Sequence, residues 1–119
     1  NPINLVLDTK LMLQSLERVS VVISEKLKSP VRCVFEDNKV TMSAKTASGD
    51  AKDVCRIAGD GQGLEIGFNN RYLMDALRYA PADTVKMELN TGISPAIIVP
   101  VEGEENFLYM VLPVRLKAN

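Results

Sequence analysis

The chain has 119 residues with a formal net charge of -1, 46% hydrophobic and 24% charged residues, which describes one ordinary globular domain and not a disordered tail. So balanced a charge gives no global argument for nucleic-acid or membrane binding, and no segment reads as a signal peptide or a spanning helix. Histidine is absent and cysteine occurs only twice, which removes the imidazole-dependent triads, the commonest metal ligand and any disulfide framework.

In chain order, Ile3 to Leu7 forms a short apolar strand, and Asp8-Thr9 can cap a following helix. Met12, Leu16, Val19 and Ile23 recur at helical spacing from Lys10, and the helix is expected to end near Ser24. Glu25 to Pro30 is a charged turn. Val31, Cys33 and Phe35 alternate on one strand, Glu36-Asp37-Asn38-Lys39 turns, and Val40, Met42 and Ala44 return. Thr46 to Asp53 is small and polar and is expected to be a loop. Val54 to Ala58 makes a third strand, Gly59-Asp60-Gly61-Gln62-Gly63 a break, and Leu64, Ile66 and Phe68 a fourth strand.

Asn69 or Asn70 then caps a second helix, Arg71 to Ala80, with Leu73, Ala76, Leu77 and Ala80 as its apolar stripe. Val85, Met87 and Leu89 alternate, Asn90-Thr91-Gly92 turns, Ala96 to Val99 returns, and Pro100 to Glu105 is acidic and exposed. Phe107 to Leu112 reads as a buried strand, and Pro113 confines further pairing to an edge. The sum is an α+β fold of two helices and about eight strands. Its order, strand, helix and three strands, occurs twice (Asn4 to Ala58, Leu64 to Leu112) and implies a pseudo-twofold layer of helices on curved antiparallel β-sheets. Cys33 and Cys55 fall on strand faces beside Phe35 and Ile57 and are read as buried thiols. From the residues alone, Tyr72 and the last strand are either core or an apolar groove.

Three separated segments carry a resemblance. Leu64-Glu65-Ile66-Gly67-Phe68-Asn69-Asn70-Arg71-Tyr72-Leu73-Met74-Asp75-Ala76-Leu77 resembles the strand–helix segment of the bacterial DNA polymerase III beta subunit, the replicative sliding clamp. Ile93-Ser94-Pro95-Ala96-Ile97-Ile98 and Tyr109-Met110-Val111-Leu112-Pro113-Val114-Arg115-Leu116 resemble its final strands, and Glu17-Arg18-Val19-Ser20 with Ser24-Glu25-Lys26 its first helix. The resemblance spans the whole chain. It departs at Ser29-Pro30, where the turn is longer, and at Lys117-Ala118-Asn119, which extends past the usual end.

The resemblance implies the DNA-clamp fold, with residues 1–119 as the third, C-terminal domain and the first and second domains absent. The opening Asn1-Pro2 suits a piece of a longer protein. The implied parent is a cytoplasmic bacterial processivity factor, a homodimer ring around duplex DNA. It serves DNA replication by tethering the polymerase III catalytic subunit, the clamp loader and repair polymerases through their short peptide motifs. The partner-peptide site carries over onto Asn69, Tyr72, Ile93, Pro95, Met110, Val111, Leu112, Pro113, Val114, Arg115 and Leu116. Lys10, Arg18, Lys26, Lys28, Arg71 and Arg78 are the expected DNA-facing cations; their segments hold only three anions (Glu17, Glu25, Asp75), which favours sequence-independent contact with phosphates. Normal helix pairing of Asp75 with Arg71 and Arg78 is the competing reading. Val21 and Val22 fall where the family packs its dimer interface, with core burial as the alternative. No metal, cofactor or catalytic residue is expected, and no membrane contact. The alternatives are a stand-alone peptide-binding adaptor and a histidine-free hydrolase, the latter without a phosphate loop or carboxylate cluster to support it.

Overall fold

A computed structural model describes residues 2–23, 30–91, 93–101, 107–114 and 116. Their order is β1 (Ile3–Asp8), α1 (Thr9–Val19), β2 (Val31–Glu36), β3 (Lys39–Thr46), β4 (Gly49–Arg56), β5 (Leu64–Phe68), α2 (Asn70–Tyr79), β6 (Thr84–Leu89), β7 (Ala96–Pro100), β8 (Tyr109–Val111) and β9 (Pro113–Val114). Two antiparallel sheets result, ordered β1-β6-β7-β8 and β4-β3-β2-β5-β9.

The strand order exposes the internal symmetry. The first strand of each half joins the meander of the other: β1 lies against β6, and β5 against β2. The registers agree position by position. Met87 opposite Ile98 corresponds to Cys33 opposite Met42, and Ile97 opposite Met110 to Thr41 opposite Val54. Even the isolated bridge of Val6 with Ala58 corresponds to Gly67 opposite Val114. Each half therefore cannot close its sheet alone, and the expected pseudo-twofold repeat is built by exchange of a strand.

Alternation sets the core. Leu5 and Leu7, Val31, Cys33 and Phe35, Val40 and Met42, Ile66 and Phe68, Val85, Met87 and Leu89, and Ala96 and Ile98 all turn inward and are buried. The helices cover them with Met12, Leu16 and Val19 of α1 and Leu73, Met74, Ala76 and Leu77 of α2. Asp8 caps α1 by accepting from the Leu11 amide, and Asn69 caps α2 by accepting from the Arg71 and Tyr72 amides. Asp37 and Asn38 both take positive φ, the two-residue hairpin turn that lets strands keep their twist. At Gly61 a Cβ would lie 2.2 Å from the Phe35 Cβ, so only glycine lets this loop pass the sheet.

Three expectations are corrected. The first helix ends at Val19, not near Ser24, and Ser20–Val22 forms a 3-10 turn. The Ser20 hydroxyl donates to the Glu17 carbonyl and the Ile23 amide to the Ser20 carbonyl, which tightens the chain before the β-branched run ends the helix. Thr46 to Asp53 is not a loop. Gly49–Arg56 is a full strand, and only Ala47 and Ser48 separate it from β3. As an edge strand with a mainly polar outer side it lacks an apolar signature, and the β3 ladder and the packed α1 supply the order. Finally, Phe107 to Leu112 is not one buried strand: β8 is three residues long, and Leu108, Met110 and Leu112 are exposed. At Leu112 the chain leaves the first sheet, and Pro113-Val114 pairs at the edge of the second, where a missing proline N–H is harmless.

Candidate binding surfaces

The sheet switch builds an apolar corner at the start of α2. Pro113 lies opposite Phe68, the residue before Asn69, and Val114 lies opposite Gly67. Leu116 covers Gly67: a Cβ there would sit 2.5 Å from the Leu116 Cδ2, so the missing side chain makes its seat. The Asn69 carbonyl oxygen is committed to the helix cap, which leaves its amide NH2 as the donor it can offer. One turn on, Tyr72 is 58% exposed, and Met110 and Leu112 are 54% and 65% exposed. Val111, between them, is buried and anchors the strand from beneath. For Tyr72, Met110 and Leu112 the structure rejects plain core burial.

Pro95 adjoins Ala96, the partner of Val111, and so reaches the same corner. Ile93 is exposed on the turn before it, where the Thr91 hydroxyl accepts from the Ile93 amide at 3.2 Å and meets the Ser94 hydroxyl at 2.9 Å. Arg115 lies outside the described residues.

The helix face carries its charge in pairs. Arg18 donates through Nε and Nη2 to Asp53 Oδ2, at 3.2 and 2.9 Å, and through Nη2 to the Ser15 hydroxyl at 3.1 Å. This guanidinium holds the Asp53 carboxyl below its ordinary pKa. Arg78 lies 3.4 Å from Asp75 on its own helix and 3.8 Å from Glu17 across the pseudo-twofold, where equivalent positions of the two helices meet. Lys10 and Arg71, also equivalent positions, are both exposed. Lys26 and Lys28 lie outside the described residues. Sequence spacing anticipates the Asp75–Arg78 pair but not Asp53, which is distant in sequence and sits in the stretch read as a loop.

Val21 is exposed on the 3-10 turn, whereas Val22 packs on the core and its carbonyl accepts from the Thr46 hydroxyl at 2.8 Å. Core burial thus holds in part for Val22 and not for Val21. Cys33 is fully buried, which pushes its thiol up to about 12, and burial raises Cys55 as well; both are free. Exposed Leu11, Tyr79 and Leu108 escaped the sequence reading, because an apolar residue beside a buried stripe gives no sign of facing water. Among the described residues no helix is long and apolar enough to cross a membrane.

Comparison with known proteins gives this geometry a family. The beta sliding clamp of Synechocystis is 33% identical over 118 residues, covering 92% of this chain and 28% of the relative. The crystal structure of a DNA polymerase III beta subunit from Thermotoga maritima matches with a TM-score of 0.87 at 29% identity, over 96% of this chain and 31% of that one. The beta subunit structure from Pseudomonas aeruginosa, at 24% identity, shows the same fold with a TM-score of 0.88 over 98% of this chain and 31% of its own. The chain thus spans less than a third of the length of these relatives. The family profile described as "DNA polymerase III beta subunit, C-terminal domain" matches residues 1–115, and the chain belongs to that family.

Proposed function

We propose that this chain serves as the C-terminal unit of a longer clamp polypeptide that closes as a head-to-tail dimer around duplex DNA and confers processivity. It would do so by topology, without chemistry of its own. The α2–β8–β9 corner takes a short apolar peptide from polymerases, the clamp loader and repair proteins. The observation that carries this reading is the exposure of Tyr72, Met110 and Leu112 around one sheet switch in a chain of the clamp family.

The chemistry suits such a ligand. Met110 and Leu112 offer flexible apolar walls that repack around different side chains. Tyr72 adds an aromatic wall with a polar tip, and the Asn69 amide can orient a peptide carbonyl. A second wall from a neighbouring domain would complete the pocket. On the helix face, exposed ion pairs worth about 1 kcal/mol or less can open to let Arg18 and Arg78 meet passing phosphates. Such weak contacts let a ring slide and read no sequence.

The test is an NMR titration with a peptide of the glutamine-leucine-x-leucine-phenylalanine type. Saturable shifts at Asn69, Tyr72, Ile93 and Met110 to Leu116 are expected. Their absence at millimolar peptide, both here and on a full-length clamp carrying this domain, would reject the site.

A further inference from the structure

The two halves disagree on one face. The outward row of β3 and β4 is Thr41 opposite Val54 and Ser43 opposite Lys52, a solvent-compatible surface. The corresponding row of β7 and β8 sets Ile97 opposite Met110, and Val99 and Leu108 lie one step beyond the last pair of that ladder, Ile98 with Tyr109. The fold therefore tolerates Thr, Ser and Lys where the second half places Ile, Val and Leu. Burial does not demand them, since Leu108 and Met110 are exposed and Ile97 and Val99 only half-buried. A strand pair apolar on both faces is built to be covered on both.

The strip has a defined width. Across β7, β6 turns polar: Glu88 lies opposite Ile97 and Lys86 opposite Val99. The apolar surface is thus two strands wide, about 10 Å, and runs about 13 Å from Leu108 through Met110 to Leu112. Its area is on the order of 130 Å², far below the roughly 800 Å² per partner of a stable dimer. One extended peptide fits it; a second globular copy does not. Phe107 stacks on Tyr109, with ring centroids 6.4 Å apart, on either side of Leu108 in the chain.

We infer that the groove at Tyr72 and Leu112 continues across this strip, so that the partner peptide carries about three further apolar residues seated on Met110, Ile97, Leu108 and Val99. The inference rests on the peptide site proposed above. Met110 belongs to both surfaces, so a ligand seated there reaches Ile97 directly.

The test compares the five-residue peptide with versions extended by three leucines at either end. It uses the wild type and a triple variant carrying the first half's residues, Ile97→Thr, Val99→Ser and Leu108→Lys. One extended peptide is expected to bind about tenfold tighter than the short one, the gain given by one well-buried leucine, with methyl shifts at Ile97, Val99 and Leu108. The triple variant is expected to lose that gain, keep the affinity for the short peptide and keep the wild-type circular dichroism. Shifts at Asn69 and Tyr72 with no gain from either extension would overturn the continuation alone. So would a gain that survives the triple variant, or a wild-type dimer in sedimentation that the variant dissolves. Silence with all three peptides would overturn the groove and its continuation together.

Discussion

Two corners of this domain occupy equivalent places in the internal repeat and present different chemistry. At the first, Asp8 caps α1, Leu11 stands on the exposed flank, and β4 brings Val54 and Arg56. At the second, Asn69 caps α2, Tyr72 takes the place of Leu11, and Met110 and Leu112 take those of Val54 and Arg56. An ion pair ties the first corner shut, since Arg18 joins α1 to Asp53 of β4. The corresponding residues of the second are Tyr79 and Tyr109. One backbone thus carries both a charge-latched edge and an exposed apolar corner, and a few side chains decide which.

The strongest way to break the comparison is at Gly67, whose counterpart is Val6. Gly67→Val would press its Cβ onto Leu116 and onto the Val114 carbonyl oxygen, 2.7 Å away, and push β9 off the sheet. Urea unfolding should show a loss of about 2 kcal/mol. Val6→Gly removes a side chain from a roomier site and should cost about 1 kcal/mol. Equal effects at the two positions would contradict the seat assigned to Leu116.

Next come the residues of the proposed peptide site. Leu112→Asp should weaken the short peptide by more than about tenfold by placing a charge where an apolar group must dock. Arg56→Asp, its counterpart, should leave binding unchanged. Tyr72→Ala should weaken binding several-fold and Leu11→Ala not at all, with both folds intact by circular dichroism, because both side chains are exposed. Unfolding of Tyr72→Ala would return that residue to the core.

Much of this contrast is legible in the chain and some is not. Period-2 runs such as Val85, Met87, Leu89 and the stripes of both helices announce their buried faces, because alternation and helical spacing are local properties. So do the caps Asp8 and Asn69. The first part of the strand Gly49–Arg56 is not legible, since Gly, Asp, Ala and Lys carry weak strand preference and pairing with β3 and packing on α1 order them. Arg18 with Asp53 is hidden for the same reason. The apolar run Phe107 to Leu112 misleads in the opposite direction: hydrophobicity signals a covered strand, yet Leu108, Met110 and Leu112 are exposed. Here the family resemblance, rather than periodicity, is what raises the expectation of a peptide site over core.

Between the helices the comparison is one of sign. Glu17 and Arg78 are equivalent positions that pair across the pseudo-twofold, so removing either charge shifts the helix face in opposite directions. Arg71→Gln with Arg78→Gln should shorten the residence of a full-length clamp on DNA a few-fold at low salt, and Glu17→Gln should lengthen it slightly. A response of the same sign to both would place DNA elsewhere.

The smallest effect tests the latch. The folded chain holds Asp53 below the ordinary carboxylate pKa of about 4, chiefly through the Arg18 hydrogen bond. A depressed folded value means that the contribution is present above the unfolded pKa and is lost as pH falls through the folded one. Arg18 is largely exposed, so the pair should contribute only about 0.5 kcal/mol near neutrality. Asp53→Asn should therefore be slightly less stable than the wild type at pH 7, with the difference closing below about pH 4. Tyr109→Phe, at the equivalent position, removes no carboxylate and should show no change in its offset from the wild type across that range. A pH-independent offset for Asp53→Asn would mean that β4 is held by its ladder alone, and that the two corners differ in surface but not in how they are fastened.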